Sequence, residues 1–136
     1  MGERASGRGT GASYDGPVQV GIDLIEIERV RDALERYPRF AERVFTEEER
    51  RYCFSRTNPA QHFAARFAGK EAVGKALGCG AEWMWRDIEI AGRPKPSVSL
   101  SGKVAAFAAR AGAGAIDLSM THSRGLAAAI AVVQPS

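Results

Sequence analysis

Residues 58–78 read NPAQHFAARFAGKEAVGKALG, and this stretch predicts the longest helix of the protein. Asn58 is a typical N-cap, and Pro59 suits the first helical position because its missing N–H would have no partner there. Gly78 is a typical helix end, since glycine adopts the left-handed conformation that closes many helices. The stretch therefore predicts one helix from Pro59 to Leu77.

The predicted helix carries a carboxylate at the edge of its apolar face. Its apolar or small residues recur at helical spacing, and Glu71 lies at the border of their stripe. Lys75 follows four residues later, so an ordinary Glu-to-Lys pair on the helix surface, worth a few tenths of a kcal/mol, is one explanation. A functional role for Glu71 is the other, and the helix alone leaves both open. The stripe consists of Phe63, Phe67, Gly74 and Leu77.

An alternating segment upstream, Val18 to Leu24, predicts a strand in which Gly21 marks a close backbone approach or a bulge. Asp23 ends this apolar segment, where it either caps a helix or serves a site. If the fold brings Asp23 near Glu71, the two carboxylates repel unless a cation lies between them. Oxygen ligands with no nearby Cys or His favour a hard ion, and Mg²⁺ typically takes one or two carboxylates plus water and substrate phosphate.

The remaining patterns predict alternating helices and strands of an α+β domain. Thr46 to Glu49 has the sequence of a capping box, which predicts a short helix toward Phe54. Residues 1–16 predict a disordered leader, because they contain almost no large apolar side chain, and residues 17–136 predict a single domain. The other expected elements are a helix from Ile27 to Tyr37, a hairpin of Asp87–Ile90 and Ser97–Leu100, an Ala-rich helix capped by Ser101, and strands Ile116–Thr121 and Leu126–Val133.

Composition narrows the class of protein. The 136 residues, 45% of them hydrophobic, fit one compact domain. Cys53 and Cys79 lie far apart without metal-ligand spacing, and no apolar signal segment opens the chain, so we expect free thiols and a cytoplasmic location. No apolar run approaches the ~20 residues needed to cross a bilayer, so we expect no membrane partner.

Four arginines of the first helix and the segment after it either form a docking surface for an acidic partner or belong to a solvated face balanced by nearby carboxylates. Nucleic acid is the less favoured partner, because no aromatic residues interleave with these arginines as a stacking platform requires. The four are Arg29, Arg36, Arg39 and Arg43.

His122 follows Ser119-Met120-Thr121 near a predicted strand end. An imidazole there can contact phosphate or accept a proton near neutral pH, although a lone histidine is more often structural. Trp83, Met84 and Trp85 form an apolar cluster whose default interpretation is core.

Five motifs in this order make the chain similar to the holo-acyl-carrier-protein synthase family of phosphopantetheinyl transferases, from about Val18 to Val133. A lone Lys-Glu-Ala is a weak signal, whereas the combination is specific. The motifs are Gly21-Ile22-Asp23, the helical RFAGKEAVGKALG of residues 66–78, Asp87-Ile88-Glu89-Ile90, Gly92-Arg93-Pro94 and Ser119-Met120-Thr121-His122.

The resemblance implies a phosphopantetheinyl transferase fold, with an antiparallel sheet packed against a long helix and subunits forming a trimer. Coenzyme A is then bound in clefts between subunits. By position, Asp23 and Glu71 match the magnesium ligands, and Lys75 matches the lysine beside the pyrophosphate; these three are the implied catalytic residues. The implied coenzyme A ligands are Lys75 with Arg66, Gly92, Arg93, Pro94 and His122.

The implied reaction is attack of a carrier-protein serine hydroxyl on the β-phosphorus of coenzyme A, with release of adenosine 3',5'-bisphosphate. Arg29, Arg36, Arg39 and Arg43 match positions that face the acidic acyl carrier protein of fatty acid or polyketide biosynthesis. The alternative is a non-catalytic module that binds nucleotide or nucleic acid, but it leaves the Asp23 and Glu71 pairing unexplained.

Overall fold

The computed structural model describes residues 17–79, 84–92 and 94–136. The predicted leader at residues 1–16, Trp83 of the apolar cluster and Arg93 lie outside the described residues. The elements in chain order are β1 (Gln19–Glu26), α1 (Ile27–Arg36), α2 (Phe40–Val44), α3 (Glu47–Phe54), α4 (Pro59–Leu77), a 3₁₀ turn (Trp85–Asp87), β2 (Ile88–Ala91), β3 (Ser97–Leu100), α5 (Gly102–Arg110), β4 (Ala113–Ser123) and β5 (Leu126–Pro135).

Within the described residues, three strands form an antiparallel sheet in the order β1-β5-β4, and β2 and β3 form a separate antiparallel hairpin. β4 and β5 are joined by Arg124 and Gly125, whose φ angles of 52° and 82° are those of a two-residue hairpin turn. α4 packs across this sheet. The predicted α+β class, with an antiparallel sheet against a long helix, is confirmed.

α4 has the predicted bounds, but the expectation of one apolar face was too narrow. Of its 19 residues, 13 are buried. The sheet covers one side of the helix, while α1, α3 and β2 contact its other sides. The Ala and Gly residues of α4 allow this, because small side chains let neighbouring backbones approach closely.

Gly21 provides the closest of these approaches. A Cβ atom added at Gly21 would lie 1.9 Å from the carbonyl oxygen of Ala72 in α4. β1 and β5 pair without a register shift, and Gly21 lies opposite Ala131. The alternative of a bulge at Gly21 was therefore wrong, and the close backbone approach is confirmed.

Helix caps were predicted with mixed success. The capping box is present, since Thr46 Oγ1 accepts from the Glu49 amide at 3.2 Å and Glu49 Oε1 accepts from the Thr46 amide at 2.9 Å. Asn58 occupies the N-cap position of α4, but its side chain caps no described amide and instead accepts from Arg31 Nη2 at 3.3 Å. The Ser101 side chain does not cap α5 either, because Asp87 Oδ2 accepts from the Val104 amide at 3.2 Å in its place.

Two further expectations changed with the structure. α2 was not predicted, since it follows Pro38 and has only five residues. The apolar cluster is not uniformly core, because the Met84 side chain is 49% exposed while the Trp85 ring stacks on Phe67 with centroids 4.8 Å apart. The different burial of these neighbouring residues depends on contacts with distant parts of the chain, which a local sequence pattern does not contain.

Neither thiol forms a disulfide with the other, and burial raises the pKa of Cys53 to about 12. No helix in the described part of the chain is both long and apolar enough to span a membrane.

Candidate active site

Asp23, Glu71 and Lys75 line one open cleft of about 620 Å³ between β1, α1 and α4, which we call the carboxylate cleft. β1 contributes Asp23 two residues after its backbone contact with α4, and Glu71 precedes the Ala72 that makes this contact. Arg29, Phe40 and Phe67 complete much of the wall. The structure therefore brings the three predicted catalytic residues together.

Lys75 pairs with Asp23 rather than with Glu71. Its ammonium donates to Asp23 Oδ1 at 3.2 Å and to the carbonyl of Ile22 at 3.0 Å. The explanation of Glu71 and Lys75 as an ordinary surface pair on one helix was therefore wrong. Lys75 instead bridges α4 and β1 at the mouth of the cleft.

Glu71 lies in an environment that disfavours its charge. Partial burial raises the pKa of Glu71, the negative charge of Asp23 raises it further, and Lys75 opposes both effects. A cation between the two carboxylates relieves their repulsion. Asp23 and Glu71, with Glu26 also in the lining of the cleft and no sulfur or imidazole among its described lining residues, suit Mg²⁺, which keeps its other positions for water and phosphate.

A group of three or more His, Cys, Asp or Glu able to hold a metal does not occur among the described residues. The residues that fit the implied ion are Asp23 and Glu71 of the carboxylate cleft, with its other positions left to water and phosphate.

A second cleft of about 430 Å³ lies on the other side of α4, and we call it the histidine cleft. It collects the described members of the predicted coenzyme A site apart from Lys75: Arg66, Gly92, Pro94 and His122. Tyr52 and Lys95 also line it. The two clefts share no lining residue, so one chain brings the predicted residues together in two groups and not in one.

Arg66 is the most buried charged residue of the histidine cleft, with 4% of its surface exposed. Its guanidinium carbon lies 4.3 Å from the centre of the Tyr52 ring, and its Nε has no hydrogen-bond partner in the described structure. His122 Nε2 lies 3.1 Å from the Gln61 side-chain amide. A buried guanidinium with an unused donor is suited to an anion.

The four predicted docking arginines lie in different surroundings. Arg29 lines the carboxylate cleft, and Arg43 lines a third cleft. Arg36 is exposed at the end of α1, and Arg39 lies 3.8 Å from Glu42 in an exposed ion pair.

Sequence reasoning missed the buried pair of Lys70 and Glu49. Lys70 Nζ lies 2.8 Å from Glu49 Oε1 and donates to the carbonyls of Trp85, at 3.0 Å, and Ile88. Glu49 Oε2 accepts from the Ile90 amide at 2.7 Å. Burial lowers the pKa of Lys70, whereas the Glu49 carboxylate opposes this shift.

This pair fastens the turn of α4 that precedes Glu71 to α3, β2 and the 3₁₀ turn. The capping box explained Glu49 locally, and no local pattern indicated a partner for Lys70. Their pairing depends on contacts between residues far apart in the chain.

Residues 19–131 match the sequence model of the 4'-phosphopantetheinyl transferase superfamily. This chain belongs to that superfamily. A holo-[acyl-carrier-protein] synthase of Moorella thermoacetica is 44% identical over 124 residues, which cover 88% of this chain and 95% of that protein. The synthase of Salinispora arenicola is 44% identical over 119 residues, which cover 86% of this chain and 98% of the relative.

Solved structures of phosphopantetheinyl transferases share the fold. The Chronobacterium ammoniagenes ACPS–CoA complex matches with a TM-score of 0.77 and 27% identity, over 89% of this chain and 99% of that chain. The Helicobacter pylori synthase in complex with coenzyme A matches with a TM-score of 0.73 and 30% identity, over 85% of this chain and 99% of that chain. The resemblance read from the motifs is confirmed, and the chain is an enzyme of the phosphopantetheinyl transferase class.

Proposed function

We propose that this protein transfers the phosphopantetheine moiety of coenzyme A to a serine of an apo acyl carrier protein, with Mg²⁺, and releases adenosine 3',5'-bisphosphate. The observation that carries the proposal is the carboxylate cleft, where Asp23, Glu71 and Lys75 meet in a chain of this family. The coenzyme A complexes of the similar synthases support the donor. Membership of an enzyme family favours this reaction over a non-catalytic binding module.

Asp23 and Glu71 are the residues that would hold Mg²⁺, which supplies positive charge to offset the charge developing on the pyrophosphate. Both carboxylates must be ionised to bind a cation. As the pH falls, protons therefore begin to compete with the metal for Glu71 at a higher pH than they would for a glutamate of ordinary pKa.

Lys75 acts on the leaving phosphate. Its side chain is 55% exposed, so the ammonium can reorient from Asp23 toward a phosphate oxygen without a large desolvation cost. In that position it stabilises or protonates the leaving group. A carboxylate of the cleft or a water molecule fits the role of base toward the carrier serine.

Arg66 and His122, with the loop of Gly92, Arg93 and Pro94, are the groups proposed to bind the adenosine end of coenzyme A. The unused Nε of buried Arg66 supports an anionic ligand there. These residues and the carboxylates line separate clefts of one chain. A site assembled from two subunits accounts for this separation.

The outer face of β1 and β5 supports assembly into a homotrimer. It exposes five large apolar side chains, and a contiguous apolar surface is typical of a subunit interface. Two of them, Leu24 and Leu126, also line the carboxylate cleft, while β4 at the opposite edge of the sheet lines the histidine cleft. A neighbour packed on this face can therefore bring its histidine cleft to the carboxylate cleft. The five and their exposed fractions are Val20 (55%), Ile22 (64%), Leu24 (63%), Leu126 (39%) and Ile130 (42%).

Arg29, Arg36, Arg39 and Arg43 are proposed to attract the acidic carrier protein, because exposed charges of opposite sign speed encounter and orient the partners. A fatty-acid or a polyketide carrier fits this chemistry.

The test is transfer to an apo carrier protein with coenzyme A and Mg²⁺, measured by the intact mass of the carrier. Wild-type protein should add one phosphopantetheine, and a chelator should abolish the addition. Asp23→Asn should lose at least about 100-fold in turnover, because half of the paired carboxylate charge is removed. Asp32→Asn, an exposed change on α1, is the matched control and should keep its turnover. Near wild-type turnover of Asp23→Asn at limiting Mg²⁺ would contradict the assignment.

A further inference from the structure

A third cleft, of about 620 Å³, lies between α2, α3 and the 3₁₀ turn. Arg43, Arg50 and Arg86 line it from these three elements, and we call it the arginine cleft. Glu47 and Asp87 also line it, so a count of charges alone does not predict its ligand.

Both carboxylates have partners outside the cleft, whereas the three guanidinium groups form no ion pair within the described residues. Asp87 Oδ2 accepts from the Val104 amide at the start of α5, and Glu47 Oε2 lies 3.9 Å from Arg51 Nη2. In residues 17–79, 84–92 and 94–136, no carboxylate oxygen lies within 4.0 Å of a guanidinium nitrogen of Arg43, Arg50 or Arg86. The three guanidinium groups therefore form no close ion pair, and the cleft carries three positive and two negative side chains.

Backbone contacts hold two of these arginines in place. Arg50 Nη1 donates to the carbonyl of Phe45 at 2.6 Å, and Arg86 Nη1 donates to the carbonyl of Glu42 at 3.0 Å. Both carbonyls belong to α2 or the residue after it, the helix that carries Arg43. A guanidinium has five N–H donors, so most donors of Arg43, Arg50 and Arg86 remain for an anionic partner.

The arginine cleft adjoins the carboxylate cleft through a single aromatic wall. Phe67 lines the carboxylate cleft, Trp85 lines the arginine cleft, and their rings stack with an interplanar angle of 20°. The proposed docking residues Arg29 and Arg43 lie on opposite sides of this wall. A partner that contacts both must cross the wall, where it meets Arg50 and Arg86.

We propose that the docking surface for the acidic carrier protein extends across the Phe67–Trp85 wall into the arginine cleft, with Arg50 and Arg86 as additional contacts. This inference rests on the proposed function, because it takes the carrier protein as the partner. Charge complementarity and continuity with the α1 surface favour a macromolecule that spans both clefts over a small anion held in one.

The experiment measures the dissociation constant of a bacterial apo acyl carrier protein whose acceptor serine is replaced by alanine, by calorimetry at low ionic strength. Arg50→Gln/Arg86→Gln should weaken binding by about three- to tenfold, the range expected for two exposed charge contacts. Arg50→Lys/Arg86→Lys should recover part of the affinity, because the charge is kept. Lys103→Gln/Arg110→Gln removes the same charge from exposed positions of α5 and should bind like wild type.

Each variant is checked by circular dichroism and by its KM for coenzyme A, which a general folding defect would also change. If Arg50→Gln/Arg86→Gln binds the carrier like wild type while the wild type transfers phosphopantetheine, the inference is wrong and the proposed function stands. If wild-type protein neither binds nor modifies the carrier, both fail. If the double variant loses only binding of inorganic phosphate, the cleft is a small-anion site and the docking inference is overturned.

Discussion

At the scale of single residues, Glu71 combines a functional position with an unfavourable charge. Its carboxylate is partly buried beside Asp23, and both effects raise its pKa. The protonated form therefore stabilises the folded protein at low pH, and this stabilisation is lost as the pH rises through the raised pKa. The proposed magnesium site would therefore lower the stability of the metal-free protein, because its two carboxylates repel each other.

Glu71→Gln should therefore unfold at a higher denaturant concentration than wild type at about pH 8 in chelator, and the difference should narrow toward about pH 5. Solvent screens this partly exposed group, so we expect a gain of roughly 1 kcal/mol or less. Added Mg²⁺ should stabilise wild type and not the variant, and turnover of the variant should be low. A variant less stable than wild type at the higher pH in chelator would show that Glu71 makes a favourable contact instead.

At the scale of elements, the contact between β1 and α4 places the two carboxylates side by side. The strand reaches the helix backbone at Gly21, two residues before Asp23, and the atom it meets belongs to Ala72, next to Glu71. The buried Lys70 and Glu49 pair fixes the same turn of α4 from the opposite direction. The spacing of the proposed metal ligands is therefore set by helix and strand packing.

Gly21→Ala should be severely destabilising, because the new Cβ would lie 1.9 Å from the Ala72 oxygen and 2.7 Å from the Ala76 nitrogen. Both are backbone atoms that cannot rotate away, so we expect a loss of about 3 kcal/mol or more in the free energy of unfolding. Gly78→Ala is the control: its φ is 81°, nothing lies within 4 Å of its Cβ, and it should cost only about 1 kcal/mol. Equal losses from urea unfolding of the two variants would contradict the proposed backbone contact.

At the scale of the whole molecule, the separation of the two clefts and the apolar face of β1 and β5 are the observations behind the proposed assembly, in which one chain holds half of each site. Cyclic assembly makes such an interface heterologous, so every chain gives one half-site and receives another.

Two inactive variants should therefore complement each other in mixed trimers. Glu71→Gln disables the carboxylate cleft, and His122→Ala/Pro94→Ala disables the histidine cleft. Refolding the two together should restore part of the transfer activity, because some assembled sites carry neither lesion. Mixing separately refolded trimers without exchange should restore none. Absence of recovery in verified mixed trimers would place the whole site in one chain.

Local patterns determined much of this protein. Caps, turns and periodicity act over a few residues, so the sequence alone predicted the features that depend on them. These are the bounds of α4, the capping box of α3 and the β2–β3 hairpin, and the motifs also identified the family. The same short range explains the errors at two predicted caps. Arg31 binds the Asn58 side chain, and Asp87 takes the amide that Ser101 was expected to cap.

Only the tertiary structure decided which charges meet. Lys75 pairs with Asp23, and Lys70 pairs with Glu49. Apart from Lys75, the described residues predicted to bind coenzyme A line a different cleft from the predicted magnesium ligands. The sequence predicted neither α2 nor the arginine cleft. The cleft forms only because the packing of separate elements brings Arg50 and Arg86 to Arg43. Long-range contacts set burial, and burial determines whether a charged side chain pairs, binds a ligand or remains in solvent.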